Sequence, residues 1–172
     1  QALDALQLSP RVLEAGEGLA LINGTQVMTG LAALVVHDAV RLTKLADIGC
    51  AMSLEVLMGS SSELDPRIHQ IRPHPGQIAT AENIRRLTED SAIILSHKGC
   101  ARLQDAYTLR CSPQIHGASK DAVIHARRVV DIEINSTTTN PLIFVDTEEV
   151  RSGGNFHGQP IAMAADYLAM GV

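Results

Sequence analysis

The chain has 172 residues, of which 45% are hydrophobic and 19% charged, so it is long enough to bury a sizeable core and too apolar to be disordered. Its net charge is −5, and its basic residues cluster no further than the pairs Arg85–Arg86 and Arg127–Arg128, which argues against a nucleic-acid partner. Three cysteines (Cys50, Cys100 and Cys111) show neither CxxC nor Cys/His ligand spacing, so reduced thiols in a cytoplasmic protein are expected and a metal site is not.

The first residues, "QALDALQLSP", read like the middle of a sequence, and the last, "AADYLAMGV", stop within an apolar helical pattern. Both ends suggest that residues 1–172 are the central helical segment of a longer single chain. From Gly18 to Val36 there is no charged residue. That run approaches the ~20 residues of a membrane span, but Asn23, Thr25, Gln26 and Thr29 interrupt it with groups that lipid penalises. A helix buried on nearly all sides fits better, and no membrane partner is expected. The pattern continues to about Gly59, where Asp38, Arg41, Lys44 and Asp47 recur every third residue and give one wet face. This predicts one element of ~40 residues, roughly 60 Å long, in which Gly24 and Gly30 mark close helix approach or a kink.

Residues 59–76, with three prolines and a serine cluster, predict a loop. A helix is predicted from about Thr80 to His97, a short one over 101–111 ending before Pro113, and a long one from about Gln114 to Asn135. Asn140–Pro141 is turn chemistry, "LIFV" a candidate strand and "VRSGGNFHG" a glycine-rich loop. Pro160 fits the first turn of a last helix. The fold class is all-α, a bundle of long helices whose apolar sides call for partner chains.

Three stretches could carry chemistry. In "ARLQDAYTLRCSPQIHGA", Gln104, Tyr107 and Arg110 follow at three-residue intervals and would share one side of a short helix. A guanidinium fork, a phenol and an amide together suit a small zwitterion; the same spacing also describes the wet side of an amphipathic helix. In "LALINGTQVMTG", Asn23, Thr25 and Gln26 interrupt an apolar helix start, either to tie helices together or to face a ligand. In "SGGNFHG", the glycines allow close approach of a ligand, or form a tight loop with Phe156 as a plug. No Walker, dinucleotide or HExxH pattern is present.

These stretches, in this order, resemble the aromatic amino acid ammonia-lyases, and the histidine ammonia-lyases most among them. The collinear set is "EGLALINGTQ" (17–26), "GSSSELDPRIHQIRPHPGQI" (59–78), "SHKGCARLQDAYTLRCSPQIHGA" (96–118), "NSTTTNPLIF" (135–144) and "SGGNFHGQPIAMAADYLA" (152–169). The resemblance implies an all-α fold similar to the fumarase/aspartase superfamily and a homotetramer with a central helical bundle. Its active sites would collect residues from more than one subunit. The reaction implied is elimination of ammonia, giving trans-urocanate from L-histidine in histidine catabolism.

The family's electrophile is methylidene-imidazolone (MIO), made from an internal Ala-Ser-Gly. That tripeptide is absent here and would lie before residue 1, so these residues alone are not expected to be active. Carried over by position, Asn23 would lie beside the electrophile, with Gln104 and Tyr107 lining the same pocket. Arg110 would hold the substrate carboxylate and Phe156 would pack against the ring or the electrophile. Thr139 stands where the family usually has Asp, and Gly16 where it commonly has Lys. Cys111 and "NFH" look more like the histidine branch. The alternatives are a tyrosine or phenylalanine ammonia-lyase, an aminomutase, or a non-catalytic helical assembly module.

Overall fold

The computed structural model describes residues 2–172. After a short helix α1 (Ala2–Ala5), helix α2 (Glu17–Ile22) leads into α3 (Gln26–Val56). The predicted single helix from Gly18 to Gly59 is therefore two. Gly24 breaks it with φ +138°, and a Cβ there would stand 2.9 Å from the carbonyl oxygen of Thr138. Neither the backbone angle nor the space suits another residue. The apolar run hides this break because both arms of the elbow are hydrophobic.

The stretch 59–76 is more ordered than its prolines predict. A 3-10 turn (Ser62–Leu64) precedes α4 (Pro66–Gln70), and α5 spans Pro75–Leu87. Pro66 and Pro75 each sit in a helical first turn, where a missing N–H is no loss. Asp65 caps α4 by accepting the Arg67 N–H at 2.9 Å. The predicted helix over 80–97 is also broken. Asp90 takes φ +56°, and Ser91 caps a separate α6 (Ala92–Ser96) by accepting the Ile94 N–H at 3.2 Å.

Helix α7 (Tyr107–Arg110) runs directly into α8 (Ser112–Glu133). Strands β1 (Leu142–Phe144) and β2 (Glu149–Arg151) pair antiparallel, Ile143 facing Val150, so "LIFV" does supply a strand. Helix α9 (Gln159–Gly171) closes the chain, with Pro160 in its first turn.

Helix α8 is the hub, with α3, α5 and α9 packed on it. The α5–α8 crossing is close because glycine meets glycine: a Cβ on Gly76 or Gly117 would collide with the opposite backbone. Asp121 of α8 caps α5 by accepting the Gly76 N–H at 2.8 Å. Two cores form. Val36, Ala39, Val123, Ala126, Val130, Ile161 and Leu168 join α3, α8 and α9. Ala51, Leu54, Leu64, Ile84, Ile94 and Leu109 form the second, below the C-terminal half of α3. Burying a side chain such as Leu54 or Ile84 stabilises by about 1.5–3 kcal/mol.

Between the cores lies a buried polar knot. Asp47 is 1% exposed and accepts from Lys120 Nζ at 2.5 Å and Asn83 Nδ2 at 2.7 Å, and His116 Nδ1 lies 3.2 Å away. Lys120 also donates to Thr80 Oγ1 at 2.6 Å. Burial pushes the Asp47 carboxyl up, but the bonds from His116, Lys120 and Asn83 outweigh it and hold the group below the usual carboxylate range. On the outer side of α3, Val27, Leu31, Leu34, Leu42, Leu45, Met52 and Val56 stay exposed at helical intervals.

Candidate active site

The sequence places Gln104, Tyr107 and Arg110 on one helix. Only the last two are helical, because α7 begins at Tyr107. Gln104 lies in the preceding irregular segment, whose course is set by Asp105. That carboxylate is 8% exposed and accepts the Ser60 N–H at 2.5 Å and Arg102 at 3.1 Å, which ties 102–106 to the chain just after α3. The anchor lies 45 residues away along the chain, out of reach of a spacing argument. All three side chains nevertheless converge on one cavity of about 690 Å³, shared with Glu63, Cys100, Cys111 and Gln114.

The cavity is electrostatically uneven. The Arg110 guanidinium lies 4.8 Å from the centre of the Tyr107 ring, a cation–π contact that orients it. Its Nε is buried and has no hydrogen-bond partner, and the same holds for Oε1 of Gln114 and of Glu63. Burial and then the neighbouring Asp105 push the Glu63 carboxyl up. Asp105 moves the other way. Burial raises it, but the Ser60 N–H, Arg102 and Glu63 together draw it below the ordinary value. Neither Glu63 nor Gln114 stood out in the sequence, since a loop glutamate and a glutamine after proline carry no periodic signal.

Beneath the cavity a relay fixes the "RIHQIRPHPGQ" segment. His69 is 1% exposed, and its Nε2 lies 3.0 Å from the Glu63 carbonyl oxygen, which can only accept. Nε2 therefore carries the proton and Nδ1 accepts from Gln77 Nε2 at 3.0 Å, while Gln77 Oε1 accepts from Arg72 at 3.0 Å. His97 bridges the carbonyls of Ile93 at 2.8 Å and Gly59 at 2.7 Å, pinning the end of α6 to the same rim.

Asn23 and Phe156 are elsewhere. Asn23 ends α2 at the elbow, and Thr25 beside it donates to Glu133 Oε1 at 2.7 Å, at the far end of α8. The 22 residues of α8 put that end roughly 30 Å from Arg110. Phe156 is 37% exposed on the glycine loop at this same end. Asn140 shapes the loop by accepting from the Gly153 N–H at 2.8 Å and Ser152 Oγ at 3.2 Å, and Asn155 donates to the Thr137 carbonyl at 3.2 Å. Gly158 admits the neighbouring α3, since a Cβ there would lie 2.6 Å from Met28 Sδ. Thus one chain brings Gln104, Tyr107 and Arg110 together at one cavity and leaves Asn23 and Phe156 toward the other end of α8. Side chains expected around a single electrophile do not form one cradle within this chain.

The family model for aromatic amino acid lyases matches residues 1–172. The chain belongs to the aromatic amino acid lyase family. Histidine ammonia-lyase of Gloeobacter violaceus is 61% identical over 98% of the chain, which covers 33% of that protein. The Alkaliphilus oremlandii histidine ammonia-lyase is 52% identical over 99% of the chain, again 33% of its own length. The chain thus spans about a third of these relatives. Among solved structures, histidine ammonia-lyase from Trypanosoma cruzi superposes with TM-score 0.84 at 43% identity, over 99% of this chain and 31% of that one. Tyrosine aminomutase from Streptomyces globisporus gives 0.89 at 41%, over 99% and 36%. The helical lyase/aminomutase fold implied by the sequence motifs is therefore the fold of this chain. Among the described residues no helix is long and apolar enough to cross a membrane.

Proposed function

We propose that the chain is the central part of a cytoplasmic histidine ammonia-lyase that eliminates ammonia from L-histidine to give trans-urocanate. The observation that carries this is the 61% identity to a histidine ammonia-lyase across nearly the whole chain. The cavity supports it, because Arg110 presents a buried, unpaired donor suited to a substrate carboxylate, next to the Tyr107 phenol and the Gln104 amide. A proton on the β-carbon is poorly acidic, so positioning and electrostatic support carry much of the rate. Arg110 fixes the carboxylate, and Tyr107 and Gln104 border the reacting amine.

The methylidene-imidazolone group, when present in the full-length protein, supplies the electrophile. Its precursor Ala-Ser-Gly is not among these residues. Asn23, with Phe156 packing nearby, would reach that group from a different copy of the chain than Tyr107, in a homotetramer. The exposed apolar side of α3, together with Leu103 (95% exposed) and Tyr107 (73%), supports such an assembly. The isolated 172 residues should therefore self-associate, and a monodisperse monomer in sedimentation velocity would contradict the assembly.

The full-length protein given L-histidine should produce urocanate, followed by its ultraviolet absorbance. No urocanate from a protein with its Ala-Ser-Gly intact would overturn the reading. The close superposition on an aminomutase favours one alternative, a tyrosine or phenylalanine lyase or mutase. Competition among the three amino acids separates them, because cinnamate-type or β-amino products would then replace urocanate.

A further inference from the structure

We propose that Gln114 is a second polar anchor for the substrate, its amide oxygen accepting the α-ammonium group while Arg110 takes the carboxylate. This rests on the reading above that the Arg110 cavity binds an amino acid. Gln114 Oε1 is buried without a hydrogen-bond partner, as is Arg110 Nε, and both residues line that cavity. Buried polar atoms are ordinarily paired, so an unpaired acceptor beside an unpaired donor describes a missing zwitterion.

The chain geometry fits. Arg110 ends α7 and Gln114 lies in the first turn of α8, with only Cys111 between the two helices, so both residues border the same end of the cavity. The carboxylate and ammonium of an α-amino acid share one carbon, so a donor and an acceptor on neighbouring turns can grip both. Glu63 Oε1 is the other unpaired acceptor on this wall, but its carboxyl already accepts from Ser62 Oγ through Oε2 at 2.9 Å. The distinction matters for the chemistry. A neutral amide holds the ammonium without stabilising its charge as strongly as a carboxylate would, so the amine loses its proton more readily and becomes nucleophilic.

The test uses the full-length protein and whichever amino acid it turns over. For L-histidine the matching probe without the amine is 3-(imidazol-4-yl)propanoate, measured as a competitive inhibitor. Gln114→Leu should raise KM for the amino acid roughly tenfold, the loss of one hydrogen bond to a charged group, and leave the inhibition constant of the propanoate unchanged. Arg110→Ala should weaken both ligands. Gln114→Glu should keep KM near the parent value and move the pH–kcat profile to higher pH, as the ammonium is held longer. Equal weakening of both ligands by Gln114→Leu, or no change in either, would overturn the proposal. Should Gln114→Leu fail to assemble, an unshifted pH profile in Gln114→Glu would overturn it instead. If Arg110→Ala leaves propanoate binding intact, it is the carboxylate reading of the cavity that fails, apart from the role of Gln114.

Discussion

The two ends of α8 are built differently. At its N-terminal end, side chains do the shaping: Asp105 anchors a loop, Arg110 stacks on Tyr107, and three buried polar atoms, on Glu63, Arg110 and Gln114, have no hydrogen-bond partner. At its C-terminal end the backbone does it: Gly24 turns the elbow, Asn140 holds the glycine loop by its peptide N–H, and Gly158 admits Met28. The first end gathers unpaired polar groups around a cavity. The second is made to bring chain segments close to something else. Substitutions should therefore show in affinity at one end and in stability at the other.

The largest effect should come from the knot between them, which both ends share. Lys120→Met takes the ammonium away from buried Asp47, leaving it only Asn83 and His116, and should cost about 3–5 kcal/mol in denaturant unfolding. If unfolding is insensitive, α8 does not couple its ends through this pair. Next, Gly24→Ala at the elbow should lower stability by about 1–3 kcal/mol, read as a drop in melting temperature, since it forces an L-residue into φ +138° against the Thr138 carbonyl. Arg110→Ala should do the converse in the full-length protein. Substrate affinity falls by roughly 10–100-fold, while the melting temperature hardly moves. A melting shift as large as that of Gly24→Ala would erase the contrast.

A smaller effect separates the knot from the cavity by pH. Asp47 has a depressed folded pKa, so its contribution is present above the unfolded value and is lost as pH falls through the folded one. Glu63 is raised in the fold, so its contribution is present at low pH and is lost as pH rises through its folded value. Glu63→Gln should remove the loss of stability that sets in as pH rises above the ordinary glutamate value and leave the loss at lower pH to Asp47. The smallest effect should be Arg151→Ala on β2. It breaks an exposed pair with Glu149 at 2.9 Å and should change stability by no more than about 0.5 kcal/mol.

The helices were legible where apolar period and length agree, as in α3, α8 and α9. Their ends were not, where a break is set by one glycine or one left-handed residue inside an otherwise suitable run, as at Gly24 and Asp90. Prolines misled in the opposite direction, since Pro66 and Pro75 start helices that they seemed to forbid. In the cavity, Tyr107 and Arg110 were visible as a local pair. The position of Gln104 depends on Asp105 reaching Ser60, and such long-range contacts leave no spacing to read. Glu63 and Gln114 became candidates only once burial and missing partners were seen.

The glycine-to-glycine crossing of α5 and α8 has a mechanical consequence. With no side chain between the two backbones, and with Asp121 clamping the start of α5, the helices cannot slide past one another without breaking that clamp. Gln114 on the cavity wall belongs to α8, and Gln77 of the His69–Gln77–Arg72 relay belongs to α5. The α8 side of the cavity and the relay beside it are therefore locked to one another, whereas the 102–106 part of the rim hangs on a single buried carboxylate.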